Sequence, residues 1–136
     1  MIVVDTGVLL AAADADDQDH VRCGQLLRDH RGELAVAEPA IVETSSQIER
    51  NLGPISEAGF QRLVTTGEIE VIDLGLDDYR RCVELIETYA DMSLGLVDAS
   101  LVTVAERLGL TTIATLNRRD FAVVRPRHAD SFELLP

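Results

Sequence analysis

Lysine is missing from this chain altogether; all twelve basic residues are arginine. Chemistry that needs a lysine is thereby closed to it. A P-loop sets Lys on the phosphates of a nucleotide, and Schiff-base catalysis needs a Lys amine. Basic charge of any kind is scarce: twelve arginines face twenty-four acids, for a net charge of −12. A protein of that sign does not hold nucleic acid through a broad counterion-releasing surface. An anionic substrate would need the local sign reversed, and a divalent cation does that best. Tryptophan is absent, and the two tyrosines and three phenylalanines do not cluster, so no platform for stacking bases is visible. The two cysteines, Cys23 and Cys82, have neither metal-site nor redox spacing and read as reduced packing residues. No apolar run nears the roughly 18 residues of a membrane span, and no basic stretch precedes an apolar one at the start. The expectation is a soluble, cytoplasmic protein with no membrane contact.

What remains is ordinary globular material, 136 residues with 46% hydrophobic and 26% charged content, enough for one domain over 1–136 with its own core. Ile2, Val3 and Val4 form an unbroken apolar run, as in a strand buried on both faces of a parallel sheet. A short helix is expected over 8–13 and a longer one over 18–31, with Val21, Leu26 and Leu27 among its apolar positions and Gly32 as its stop. An acidic turn, Asp14, Asp16, Asp17 and Asp19, precedes His20 and suits a solvated helix start. Residues 34–37 read as the second strand. Glu38-Pro39 opens a third helix, which Leu52-Gly53-Pro54 closes. A fourth runs from Ser56 to about Gly67 with Phe60, Leu63 and Val64 inward. The third strand falls in 68–74. The next helix starts at Asp77 to Tyr79, with Cys82, Val83, Leu85, Ile86 and Tyr89 as its core face. Near the end, 121–124 is a short apolar segment, Arg125 to His128 a basic turn, and 131–135 a last edge strand. Strands alternating with helices make a parallel-sheet α/β domain.

Residues 94–121 organise the rest. Val97, Leu101, Val104 and Leu108 recur at helical spacing and Gly109 stops the helix. TTIAT follows as a buried strand and runs into a polar turn, Asn117, Arg118, Arg119 and Asp120. Asp98 stands at the helix mouth and Asp120 just past the strand. Asp5, likewise, ends the first strand. Loops after strand C-termini line the ligand crevice of a parallel sheet, so three acids are expected on one rim. Plainer readings exist for Asp5 or Thr6 as a helix cap and for Asp98 as a cap, and Glu43, on the third helix, reads alone as a solvated surface residue beside Gln47 and Arg50. Asp98 resists its plain reading best, because it heads an inward apolar stripe with Leu101, Val102 and Ala105. A half-buried carboxylate needs a partner, and no Lys exists to supply one.

IVVDTGVLL, a Glu after the second strand, GLVDASLVTVAERLG and then TIATLNRRDF resemble the PIN-domain endoribonucleases over nearly the full chain. Within that family the pattern is most similar to the VapC-type toxins of prokaryotic toxin–antitoxin pairs. The ordered set with its spacings is what is specific, since D-T-x-x-L-L alone is common. The resemblance implies a three-layer α/β/α sandwich with a central, mostly parallel sheet, whose acidic pocket holds Mg²⁺ or Mn²⁺ and hydrolyses RNA. Matched residue by residue, Asp5, Glu43 and Asp98 are the first three family acids. One common form of the pattern has T-x-D after the fourth strand, where this chain has Thr115-Leu116-Asn117. Another form reads T-x-N-x-x-D-F, which Thr115, Asn117, Asp120 and Phe121 match, so Asn117 and Asp120 share the fourth place.

The chemistry explains the residue types. Two carboxylates ~5 Å apart repel by about 3 kcal/mol at an effective dielectric near 20. Several therefore need a compensating charge, and hard oxygen ligands suit Mg²⁺ or Mn²⁺. Asp5 and Asp98 are the expected direct ligands, with Glu43 orienting water or completing a second metal site. Thr6, Thr115 and Asn117 are expected to hydrogen-bond behind these ligands, and Arg118 and Arg119 to contact phosphate. The partners implied are a cognate VapB-type antitoxin, whose basic tail suits a −12 surface, and a second copy of the chain in a homodimer. Two other readings compete. The fold may serve as a protein-binding module with an impaired metal site if Asn117 replaces a needed acid. D-T-G-V-L-L also resembles the first motif of haloacid-dehalogenase-like phosphatases, but Gly7 stands where their second Asp falls and their Lys is absent.

Overall fold

Three or four consecutive apolar residues suffice for each central strand here, because helices cover both faces of a parallel sheet. In a computed structural model describing residues 1–136, β1 (Ile2–Val4) and β2 (Leu34–Ala37) are buried at every position. At the edge, β3 (Ile69–Ile72) buries only its two isoleucines. The fourth and fifth strands, β4 (Thr112–Ala114) and β5 (Glu133–Leu135), complete a five-stranded sheet in the order β3-β2-β1-β4-β5. Every pairing is parallel; Val3 lies opposite Ala35 on one side and Ile113 on the other. The expected α/β/α layering is therefore present, with a sheet that is wholly parallel. Successive strands run outward from β1 to β3, then the chain returns to place β4 on the other side of β1. That reversal between β1 and β4 is where open α/β sheets form their ligand crevice.

Seven helices flank the sheet: α1 (Thr6–Ala13), α2 (His20–Asp29), α3 (Glu38–Leu52), α4 (Pro54–Thr65), α5 (Leu76–Thr88), α6 (Leu96–Leu108) and α7 (Arg118–Val123). None is long and apolar enough to cross a membrane. Packed over β1 and β2 and covered by α5 and α3, α6 is buried at every residue from Ala99 to Ala105. A helix with apolar residues all round its middle belongs in a core, and that explains why its stripe was wider than its spacing suggested. Leu108, at its end, is exposed. Gly109 then closes the helix at φ +69°, a left-handed cap that glycine takes without a Cβ clash.

Several expectations need correction. Val21 is exposed, because the buried side of α2 is carried by Cys23 and Leu26. Val83 is also exposed; Cys82 and Leu85 face inward on α5, and Val83 lies between them on the other side. The segment after β4 is not a polar turn followed by an apolar stretch but the short helix α7, with Phe121 fully buried. Both cysteines are buried free thiols, as their spacing suggested.

The completeness of packing around α6 sets an expected cost. Leu101→Ala, at a side chain with no exposure, is expected to lose about 3 kcal/mol in urea unfolding. Leu108→Ala on the same helix is expected to lose well under about 1 kcal/mol.

Candidate active site

Asp5 follows directly on β1 and is the N-cap of α1. Its carboxylate Oδ1 accepts a hydrogen bond from the Thr6 amide at 2.7 Å, and its Oδ2 one from the Thr115 hydroxyl at 2.8 Å. The cap reading and the pocket reading are therefore both correct: capping uses one oxygen and leaves the group buried at the crevice. Burial pushes the Asp5 carboxyl above its usual range, and the Thr115 and Thr6 donors pull against that shift. Thr6 acts on Asp5 through its backbone only. Its hydroxyl, buried beside the site, has no hydrogen-bond partner in the protein, and nor does that of Thr44.

Asp98 occupies the third position of α6, and the N-cap is Gly95. The expected capping role is thus partial: the Gly95 N–H, back over the first turn, favours the Asp98 carboxylate, without the close bond that Gly75 makes to Asp78. Its carboxyl is pushed up to about 6, first by burial and then by the negative charges of Asp5, Asp120 and Glu43. Four acids separated by up to 115 residues in the chain thus act on one point. Asp5 comes from the end of β1, Glu43 from α3, Asp98 from α6 and Asp120 from α7.

Asp120 reaches the site because Asn117 holds it. The N-cap of α7 is Asn117, whose Nδ2 donates to Asp120 Oδ2 at 2.9 Å while its Oδ1 accepts from the Asp120 amide at 3.4 Å. The Asn117 amide in turn donates to Thr115 Oγ1 at 2.9 Å. A line of hydrogen bonds therefore runs from Asp120 through Asn117 and Thr115 to Asp5. Both polar ends of the Asn117 side chain are spent on Asp120, so of the two residues it is the acid whose charge acts on Asp98.

Glu43 is half-buried, not the solvated residue its local sequence suggested, and only a long 3.4 Å bond from Gln47 reaches it. The two arginines divide. Arg118 donates to the backbone carbonyls of Leu134 and Pro136 at 3.2 and 2.7 Å and so pins β5. Arg119 is exposed and forms no ion pair.

No arginine or histidine pairs with any of the four acids. Concentrated negative charge, oxygen-only donors and an orphaned buried hydroxyl on Thr6 are what a hydrated Mg²⁺ or Mn²⁺ requires. The fit is one of charge and ligand type. As they stand, no three of the carboxylates are drawn together into a group that grips an ion.

Two signals for this arrangement were passed over in the sequence. Gly75-Leu76-Asp77-Asp78 and Gly95-Leu96-Val97-Asp98 are the same Gly-Leu-x-Asp helix start, and Asp78 Oδ2 accepts from the Gly75 amide at 2.9 Å. Asp78 has Arg107 at 3.6 Å, whereas Asp98 has no such partner. Likewise Asn117-x-x-Asp120 is a reciprocal helix-start pattern, which identifies α7.

The PIN domain family model matches residues 2–125. Ribonuclease VapC26 of Mycobacterium tuberculosis (strain ATCC 25618 / H37Rv) is 27% identical over 135 residues, spanning 99% of this chain and 100% of that protein. Among solved structures, M. tuberculosis VapC20, a sarcin-ricin loop cleaving toxin, aligns with TM-score 0.77 at 18% identity over 83% of this chain and 87% of its own. A toxin–antitoxin complex from Klebsiella pneumoniae aligns with TM-score 0.72 at 21% identity, over 91% and 92%. Both share this fold.

The raised Asp98 carboxyl has a stability consequence. Folded Asp98 keeps its proton up to about pH 6, while unfolded it releases it near pH 3.8, the ordinary value of an aspartic acid. The folded state binds more protons in that window, so metal-free stability falls as pH rises from about 4 to about 6. Asp98→Asn is expected to remove this decline, a gain of about 1–2 kcal/mol near pH 7 once solvent screening of the part-exposed group is allowed for. Urea unfolding at several pH values measures it.

Proposed function

The chain belongs to the PIN-domain family, and we propose that it is a metal-dependent endoribonuclease toxin neutralised by a cognate VapB-type antitoxin. One observation carries the reading: acids from three other elements, Asp5, Asp120 and Glu43, act on the Asp98 carboxyl at the sheet's reversal point with no side-chain cation to offset them. The ribonuclease relative and the toxin–antitoxin complexes among the structural relatives support both halves of it.

In this reading Asp5 and Asp98 are metal ligands, with Glu43 as a third. When bound, Mg²⁺ or Mn²⁺ would lower the pKa of a water and offset charge growing on the phosphodiester. The protein's share of the work is to hold oxygens in place and manage one proton. Thr115 and the Thr6 amide fix both oxygens of Asp5 and favour its charged form against the effect of its burial. Asp98 would hold its proton while no cation is bound and would serve as a ligand in its deprotonated form. Glu43, on a different helix and nearly free of hydrogen bonds, orients the attacking water. Asn117 holds Asp120 toward the pocket, where it completes the acidic wall. Thr6 offers its unpaired hydroxyl to the hydration of the ion. Of the two arginines, Arg119 is the one available to a substrate phosphate, since Arg118 is engaged with β5. The substrate is RNA, and a protein of net charge −12 reaches it through this local sign reversal, not through its general surface.

The impaired-module reading required Asp120 to turn away from Asp5 and Asp98. Its charge instead helps raise the Asp98 carboxyl, and Asn117 supports it instead of replacing it. The phosphatase reading lapses with family membership.

Asp98→Asn is expected to abolish Mn²⁺-dependent RNA cleavage while circular dichroism stays unchanged; retained cleavage removes Asp98 from the mechanism. Asn117→Ala is expected to weaken Mn²⁺ binding by roughly 10- to 100-fold through a loosened Asp120. Calorimetric Mn²⁺ affinity of the native chain is expected to fall steeply below about pH 6, where Asp98 is protonated.

A further inference from the structure

The bend between β4 and α7 is held from outside as well as from the pocket. Three consecutive carbonyls at the end of β5 are taken up by the residues that bracket it. Leu135 O accepts from the Thr115 amide at 2.7 Å. To either side, Leu134 O and Pro136 O accept from the Arg118 guanidinium at 3.2 and 2.7 Å, both bonds leaving the one nitrogen Nη1. Asn117, which grips Asp120, lies between these two anchors. Successive strand carbonyls alternate in direction, so Leu135 turns in toward β4 while Leu134 and Pro136 turn off the sheet edge. Water could serve those outer carbonyls, so Arg118 is not needed to satisfy them. What the guanidinium adds is a tie between an edge strand and the first residue of α7. β5 lies beyond residues 2–125 and so is not part of what the family match describes.

We propose that Arg118 is a positioning residue for Asp120. With β5 it fixes the first turn of α7, and so the direction in which Asn117 presents the acid to the pocket. At six residues α7 is too short to hold its own shape. Its one buried side chain, Phe121, anchors the middle, and only the Asn117 cap and Arg118 secure the start. The inference rests on the proposed function only in taking Asp120 as part of the metal-binding wall. Sign separates this role from two simpler ones. Arg118 carries positive charge two residues from Asp120, so by charge alone its loss would tighten Mn²⁺ binding. A contact to substrate phosphate would show instead as a raised KM for RNA at unchanged Mn²⁺ affinity. Loss of a positioning residue weakens Mn²⁺ binding, against the Coulomb direction.

Calorimetric Mn²⁺ affinity and metal-free amide hydrogen exchange, both on the full chain, test it. Arg118→Met is expected to weaken Mn²⁺ binding by roughly three- to tenfold, less than Asn117→Ala because it acts one step further out. With circular dichroism unchanged, the same variant is expected to speed exchange of the Asp120 and Phe121 amides. Arg118→Lys is expected to restore most of both, since a single nitrogen makes both bonds. Arg119→Met, which removes the same charge from an exposed side chain one residue further on, is expected to leave Mn²⁺ binding no weaker. Unchanged or tighter Mn²⁺ binding in Arg118→Met overturns the proposal, as does a loss that Arg118→Lys does not restore or that Arg119→Met equals. A raised KM for RNA at unchanged Mn²⁺ affinity assigns Arg118 to the substrate and overturns it too, and so does a collapse of the whole fold. If the native chain takes up no Mn²⁺, the metal reading fails by itself. Exchange in the metal-free chain then decides the tie, and unaltered Asp120 and Phe121 amides in Arg118→Met overturn it.

Discussion

A carboxylate that feels three others, in a protein without lysine, lowers its energy by taking up a proton or by gaining a cation. Asp98 is in that position, and the surrounding structure is built to keep it there. Asp98 is itself part-exposed, but the burial of α6 from Ala99 to Ala105 fixes the backbone that carries it. The Gly95 amide, back over the first turn, favours its charged form. Asp5 cannot retreat either, since the Thr6 amide and the Thr115 hydroxyl hold its two oxygens. The repulsion is a stored demand for positive charge, met from outside the chain.

Asp78 shows that the demand is not a by-product of helix capping. It occupies the same place in a Gly-Leu-x-Asp helix start and accepts a bond from the Gly75 amide. Yet Arg107 lies 3.6 Å from it, and that carboxylate is settled within the protein. The two helix starts differ most in what the fold brings alongside: an arginine from α6 in one case, three acids in the other. The arginines are in general spent on structure. Arg81 is bonded to both oxygens of Glu106, Arg127 reaches Glu84, and Arg118 secures β5. That leaves the acidic rim unneutralised.

Much of this was legible in the residues. Apolar runs too short and too continuous for amphipathic helices marked β1 and β2, because burial on both faces removes the alternation a one-sided strand would show. Gly109, Gly53 and Pro39 marked helix ends through backbone conformation, which is a local property. Expectations failed where side-chain direction depended on a neighbour. Val21 and Val83 are apolar and correctly spaced, but helical spacing does not say which of two stripes faces inward. On α5 both stripes are apolar, and only the position of α6 decides between them. The helix α7 was missed because six residues carry too little periodicity to announce one.

Composition and order alone determined the absence of lysine, the parallel α/β plan, the acidic identities at strand ends and helix starts, and the resemblance that linked them. These depend on residue type and on interactions within a few positions of chain. The tertiary structure decided that Glu43 faces the pocket, that Asn117 clamps Asp120 instead of replacing it, and that Arg118 serves β5 while Arg119 stays free. It also decided that one apolar stripe of α5 is left bare. Each of these is settled by a partner far away in sequence, and a charge or an apolar surface acquires its meaning only from what the fold sets beside it.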